Sequence, residues 1–248
     1  MEKPTQTLTK IEQEVQQKYA WIITGFKGGV GKSLFACALL EYLLWKSLVS
    51  FLLEFDTVNP DLRRKYHRRI TTKLGVFSDD PNKENAANVL PNTTMEGNLL
   101  ANMPAQIFTE FKNWNNNNAI PDICREFNLV FVNMHISDGN KDSLNIFIRS
   151  VEAFPDMRHV FVKNWGMRSN EWSDFDAHAV VQQYIAERNI PVLDFPKFHG
   201  VSTLQKIDRL DLSFTEALTH KDLDAIERSR VKQFLSKSYT VFEASGLF

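Results

Sequence analysis

The segment Lys27-Gly28-Gly29-Val30-Gly31-Lys32-Ser33 places two ammonium groups, one hydroxyl and three glycines within seven residues. Glycines let the backbone curl so that several N–H groups converge on one cavity, and a helix that starts directly behind them adds the positive end of its dipole. That combination holds the phosphates of a nucleotide. Lys32 supplies a full charge to the β- and γ-phosphates, and the Ser33 hydroxyl is placed to ligate Mg²⁺. The alternative is a glycine-rich turn without a ligand. A second cluster, Glu54-Phe55-Asp56-Thr57-Val58-Asn59-Pro60-Asp61, carries two carboxylates one residue apart. On an extended strand such residues lie on the same side. The alternative for this string is a strand end with an Asx-type turn before a helix started by Pro60.

For these groups to meet, the chain has to bring strand ends together. Tyr19-Ala20-Trp21-Ile22-Ile23 is a short apolar run that ends at Thr24-Gly25, as expected of a strand covered on both faces. Lys32 to about Lys46 reads as a helix that is apolar nearly all round. Further buried strands are expected at 49–55, 129–133, 159–163 and 191–195, and helices at 142–153 and 173–188. Strand and helix alternate, which predicts an α/β fold: a single doubly wound, mostly parallel sheet with helices on both faces. In such a sheet the carboxyl ends of the strands face the ligand crevice, so Glu54 and Asp56 should point towards the phosphates. Residues 70–128 fit the rhythm least, and their Pro, Asn and Thr content suggests long loops and an insertion, with a helix near 106–114. A C-terminal helix is expected over 222–238, with Leu223, Ile226, Val231 and Phe234 inward. Residues 1–18 read as a polar extension, partly helical through Leu8, Ile11 and Val15, ahead of one domain over 19–248.

In the usual phosphate loop, Gly-x-x-x-x-Gly-Lys-Ser, the first glycine would fall at position 26, which is Phe26; a lysine, Lys27, precedes Gly28-Gly29 instead. This Lys-Gly-Gly-x-Gly-Lys-Ser form resembles the deviant phosphate loop of the ParA/MinD superfamily of ATPases. The resemblance implies ATP or ADP with Mg²⁺ as ligands, with Gly28, Gly29, Val30, Gly31, Lys32, Ser33 and Leu34 lining the nucleotide. It implies that Lys27 reaches across a nucleotide-sandwich homodimer to the other subunit's phosphates and stabilises charge as the γ-phosphate leaves. The alternative for Lys27 is a solvated loop lysine. The family has Asp-x-Asp after its second strand, the second carboxylate positioning the attacking water. Asp56 matches that place and Glu54 replaces the first Asp, so Ser33, Glu54 and Asp56 are the expected Mg²⁺ holders, partly through water. The string Glu-x-Asp-Thr-x-Asn-Pro-Asp looks more like the StbB/TraL-type proteins of plasmid stability and conjugative transfer. Asn164 matches an Asn that hydrogen-bonds adenine, whose mixed donor–acceptor edge suits an amide, and Pro196 matches a proline loop that closes over the base. No Asn-Lys-x-Asp motif for guanine is present.

The third strand departs from the pattern. Where an Asp should hold Mg²⁺ through water, Leu129-Val130-Phe131-Val132 runs into Asn133, which has no charge to balance a metal. Weak Mg²⁺ affinity and weak hydrolysis follow as expectations, with Asp138 as a candidate to compensate and His135 as a polar loop residue. The resemblance thus implies an ATP-dependent dimerisation switch in plasmid maintenance or conjugation, acting on DNA or a protein adaptor. The alternatives are a nucleotide-binding scaffold without turnover, and a metabolic ligase or small-molecule kinase.

Composition sets outer bounds. The 248 residues are 43% hydrophobic and 24% charged, with a formal net charge of -1, so any nucleic-acid partner must use a local patch. The run Arg63-Arg64-Lys65-Tyr66-His67-Arg68-Arg69 is one such patch, with a solvated helix face as its alternative; Arg228 and Lys232, one turn apart, are another. Two cysteines, Cys37 and Cys124, without metal spacing, suit a reducing cytoplasm, and the resemblance implies a bacterial one. No stretch predicts a membrane span.

Overall fold

The structure, a computed structural model, describes residues 16–78, 80–167 and 172–248. The helical reading of Leu8, Ile11 and Val15 lies outside the described residues. Seven strands, β1 (Lys18–Thr24), β2 (Phe51–Glu54), β3 (Thr71–Leu74), β4 (Leu99–Asn102), β5 (Leu129–Ser137), β6 (Arg158–Asn164) and β7 (Val192–Phe195), form one sheet. Their order is β3-β2-β4-β1-β5-β6-β7 and every pairing is parallel. The α/β doubly wound reading therefore holds. The order reverses direction around β1, so the crevice at the carboxyl ends of β1 and its neighbours is where this fold accepts ligands.

The helices are α1 (Lys32–Trp45), α2 (Asp61–Tyr66), α3 (Val89–Glu96), α4 (Phe108–Asn117), α5 (Ile120–Glu126), α6 (Lys141–Ala153), α7 (Ser173–Asp176), α8 (Ala179–Glu187), α9 (Val201–Arg209), α10 (Phe214–Ala217) and α11 (Ala225–Ser245). Alternation along β1 sorts them. Trp21 and Ile23 enter a core with α1, α9, α10 and α11, whereas Ala20 and Ile22 enter a core with α3, α4 and α5. Helix α1 is buried on almost every side because α2, α10 and α11 all pack on it. Among the described residues no helix is long and apolar enough to cross a membrane.

Several expectations change. Residues 70–128 contribute β3 and β4 to the sheet, with β4 hydrogen-bonded between β1 and β2; its four residues Leu99-Leu100-Ala101-Asn102 are too few to show a period. The expected helix 173–188 is two helices, broken where His178 is extended and its Nδ1 accepts from Val181 N–H. Helix α11 starts at a capping box, Asp224 Oδ1 accepting from Glu227 N–H at 2.8 Å and Glu227 Oε2 from Asp224 N–H at 2.9 Å. It runs on to Gly246, beyond the expected 238. Leu223, Val231 and Phe234 are inward, but Ile226 is 66% exposed. Most consequential is β5, which continues four residues past Asn133 to Ser137.

Candidate phosphate-binding site

Strand β1 delivers the chain to Gly25, and the loop 25–31 returns it into α1. Gly31, the residue before α1, has φ +90, and a Cβ there would lie 2.2 Å from Asn164 Nδ2; only glycine fits. Gly29 has φ +78. Phe26 has φ +42 although it is not glycine, a conformation costing about 1–2 kcal/mol. Its ring is 4% exposed and packs edge-on against Phe108 at 5.2 Å, which offsets that cost. The loop thus adopts at position 26 the backbone of the missing glycine, held by aromatic packing. No side chain caps α1, so the orphan N–H groups of its first turn are left for a ligand.

The two lysines are placed differently. Lys32 Nζ donates to the Lys27 carbonyl at 3.1 Å, curled inside the loop. Burial lowers its pKa and the nearby Asp56 carboxylate partly restores it. Lys27 instead reaches across the crevice to Asp138, Nζ to Oδ2 3.2 Å. Burial alone would raise the pKa of Asp138, but the Asn140 N–H and the Lys27 ammonium outweigh it and hold the carboxyl below its usual range.

The carboxylates correct two expectations. Asn133 is not at a strand end. It sits mid-strand beside Ile22, 1% exposed, accepting from Thr24 Oγ1 at 2.6 Å and donating from Nδ2 towards Ser150 Oγ at 2.9 Å, with His159 Nδ1 at 3.1 Å. It belongs to a satisfied buried polar network. The acidic residue that follows the end of β5 is Asp138. A sequence signal existed: apolar residues continue at Met134 and Ile136, and Asp138-Gly139 supplies the turn. His135 is likewise no loop residue but a fully buried strand residue paired with Thr24 in register. The Ser143 backbone is within reach of the ring but makes no well-aligned hydrogen bond with it, and burial, against that contact, pushes the ring's pKa down to about 3.

Glu54, expected to hold metal, is fully buried and engaged. Its Oε1 accepts from Asn102 Nδ2 at 2.8 Å and from Asp56 N–H at 3.2 Å, and Oε2 from Arg63 N–H at 3.4 Å. Burial raises its pKa to about 7 against those hydrogen bonds. It is therefore a poor Mg²⁺ ligand and a good clamp, pinning both ends of segment 56–63. Asn102 was not anticipated, and a lone Asn on a four-residue strand gives no signal. Asp56 remains half-buried at the mouth of the loop, with Oδ1 accepting from Asn59 N–H at 2.9 Å. Ser33, Asp56 and Asp138 are the residues whose chemistry suits Mg²⁺ held partly through water. Among the described residues no cluster of three or more His, Cys, Asp or Glu forms a metal cage.

The amide of Asn164 is also committed. Nδ2 donates to the Val30 carbonyl at 2.8 Å and Oδ1 accepts from Gly166 N–H at 2.9 Å. It ties the end of β6 to the phosphate loop. Pro196 is half-buried in the loop after β7, which is anchored by the buried Phe198 against Phe234 at 5.1 Å. Beside Ser33 and Leu34 a cavity of about 270 Å³ opens between α1, α2 and α9. Three of the five Arg and Lys side chains in the basic run are in ion pairs. Arg64 pairs with Asp61 and Asp211, Lys65 with Asp208, and Arg69 with Glu41. This favours the structural alternative over a nucleic-acid patch.

No protein-family model matches the chain. A stretch of 57 residues is 42% identical to protein MobD of Acidithiobacillus ferrooxidans, but it is 23% of this chain and 25% of MobD, so the match spans about a quarter of that protein. Among solved structures, a ParA family ATPase of Chlorobium tepidum is similar at a TM-score of 0.45 and 13% identity, over 88% of this chain and 98% of that one. The MinD cell division protein of Aquifex aeolicus gives 0.44 and 14%, over 89% and 96%. Chloroplast FtsY of Physcomitrella patens gives 0.44 and 14%, over 71% and 57%. The reading of the site stands on the chain's own residues.

Proposed function

We propose that this chain is an ATP-binding, ATP-hydrolysing dimerisation switch of the ParA/MinD type. The observation that carries the proposal is the convergence of Lys27, Lys32, Asp56 and Asp138 on an uncapped helix N-terminus at the switch point of the sheet. In this reading Lys32 and the first-turn N–H groups of α1 bind the phosphates of ATP or ADP. Ser33, Asp56 and Asp138 would hold Mg²⁺, which when bound neutralises charge shared by the β- and γ-phosphates. Asp56 orients the attacking water, and Glu54 fixes Asp56 by binding its N–H. Lys27 leaves Asp138 and acts on the nucleotide of a second copy.

Asn133 was the ground for expecting weak turnover; Asp138, the acidic residue after the end of β5, supports the switch reading over a scaffold without turnover. Asn164 holds the loop in shape, so adenine recognition falls to the remaining lining, including the Pro196 loop. Plasmid maintenance or conjugative transfer, with a protein adaptor or DNA as partner, is the setting that the 54–61 string favours.

The test is calorimetric titration of ATP and ADP with Mg²⁺, light scattering for the dimer, and steady-state phosphate release. Lys32→Ala should abolish binding; Asp56→Ala should keep binding and the dimer while stopping release. A wild-type protein that binds neither nucleotide overturns the proposal.

A further inference from the structure

A groove of about 400 Å³ runs between the loop 197–199 and the first half of α11. Lys197, His199, Arg230 and Lys237 line it together with Gln233 and Ile226, and no lining residue is acidic. None of the four basic side chains has a salt-bridge partner among the described residues. Asp224 caps α11 through the Glu227 N–H, which holds its pKa down with help from the Arg230 charge, and Glu227 accepts from Lys206 Nζ at 2.8 Å and from the Asp224 N–H. In a chain with a net charge of -1, the groove gathers Lys197, His199 and Lys237 around Arg230, whose charge alone of the four is felt by the Asp224 carboxylate.

The groove is also built rather than incidental. Gly200 has φ +110 and a Cβ there would meet Arg230 Cδ at 2.9 Å, so loop and helix are in close contact. Arg230 is held by a hydrogen bond from Nη1 to Thr203 Oγ1 at 3.1 Å. Phe198 and Phe234 form the floor behind it. Ile226 in its lining is 66% exposed.

We infer that this groove docks an acidic, aliphatic peptide segment of a partner protein. Charge complementarity calls for carboxylates or phosphates. Exposed Ile226 decides between them: a phosphate backbone gains nothing from it, the Phe234 ring is buried, and His199 is left as the one exposed ring in the lining on which a base could stack. A segment alternating acidic and aliphatic residues satisfies both features at once. The Lys197 main chain lies against Gly166 in the turn that Asn164 ties to Val30, so the docked segment would sit next to the phosphate loop.

The probe is a fluorescein-labelled peptide of about twelve residues alternating Leu with Asp and Glu, read by anisotropy against the full chain without nucleotide. Omitting nucleotide separates a failure here from a failure of the phosphate-site reading. Saturable binding is expected to weaken about tenfold in Lys237→Glu and several-fold in Ile226→Ser, and to be unchanged in Lys112→Glu, an exposed position on α4 away from the groove. Unchanged circular dichroism and thermal midpoints establish that the variants fold. The inference is overturned if the peptide does not bind, or binds Lys237→Glu as well as wild type. It is also overturned if a labelled DNA duplex binds instead, with losses in Lys237→Glu and none in Ile226→Ser.

Discussion

Lys27 and Asp138 are each other's partner across the crevice, with side-chain exposures of 29% and 10%. The Lys27 end is part-exposed and the buried Asp138 keeps the Asn140 N–H and amide as partners when Lys27 is removed, so losing the pair should cost about 1 kcal/mol, and its importance lies in where the charges sit. Lys27→Ala should leave the thermal midpoint within about 4 °C of wild type and ATP affinity within a few-fold. Phosphate release should fall about a thousandfold, the scale of a transition-state cation supplied from outside a site. Loss of nucleotide binding in Lys27→Ala would instead make it an ordinary phosphate ligand. His135 gives a prediction of the opposite kind. Its folded pKa of about 3 lies below the ordinary value of 6.5 because burial excludes the charged ring. The stability it allows is therefore present above pH 6.5 and is lost as pH falls towards 3, since the unfolded chain takes up the proton first. With only a poorly aligned contact to the Ser143 backbone for its ring, His135→Leu should stabilise the fold by about 1 kcal/mol at neutral pH, and the gain should grow between pH 6.5 and 5. Urea denaturation at several pH values measures both; an equal gain at every pH would show that His135 does not titrate.

At the scale of elements, the phosphate loop is a strained turn carried by packing. Phe26→Ala removes the ring from Phe108 and keeps the positive φ, whereas Phe26→Gly removes the ring and relieves the strain. Both should destabilise the fold, and Gly should be the milder by about 1 kcal/mol, reversing the usual order of Ala and Gly. Denaturant midpoints of the two variants decide this, and Ala equal to or better than Gly would mean that position 26 is not strained. The loop itself was legible in the sequence because its chemistry is local: glycines, Lys32 and Ser33 in a fixed spacing before an apolar helix. What failed was the length of β5. Asn133 breaks the apolar run at a point where a strand could end, and only the sheet shows its amide answered by Thr24, Ser150 and His159. A buried polar residue and a strand-end residue look alike until their partners are known. Glu54 misled for the same reason, since its donors come from Asn102 on β4 and from the distant Arg63 N–H.

For the whole molecule, Glu41 links parts of the chain that the sequence separates widely. It lies 2% exposed on α1, the helix that carries the phosphate loop. Its carboxylate accepts from Tyr66 Oη at 3.1 Å, Arg69 Nη1 at 2.7 Å, and Thr215 N–H and Oγ1 at 3.0 and 2.6 Å. One buried charge thus joins α1 to the end of α2, which follows the Asp56 segment, and to α10 near the C-terminus. The ion pairs of Arg64 and Lys65 with Asp208 and Asp211 add a second, exposed seam between α2 and α9. The exposed seam should contribute little, but a buried pair broken on one side leaves an uncompensated charge, at a cost of about 3–5 kcal/mol. Glu41→Ala should therefore destabilise the fold by that amount, by stranding Arg69 and the Thr215 donors. Arg64→Ala should cost less than about 1 kcal/mol. Because Arg69 shares the site, the double variant Glu41→Ala, Arg69→Ala should lose less than the sum of the single losses. Denaturant unfolding of the four variants supplies the comparison. Additive losses would show that Glu41 and Arg69 act independently, and that α2 is joined to the phosphate-loop helix by apolar packing alone.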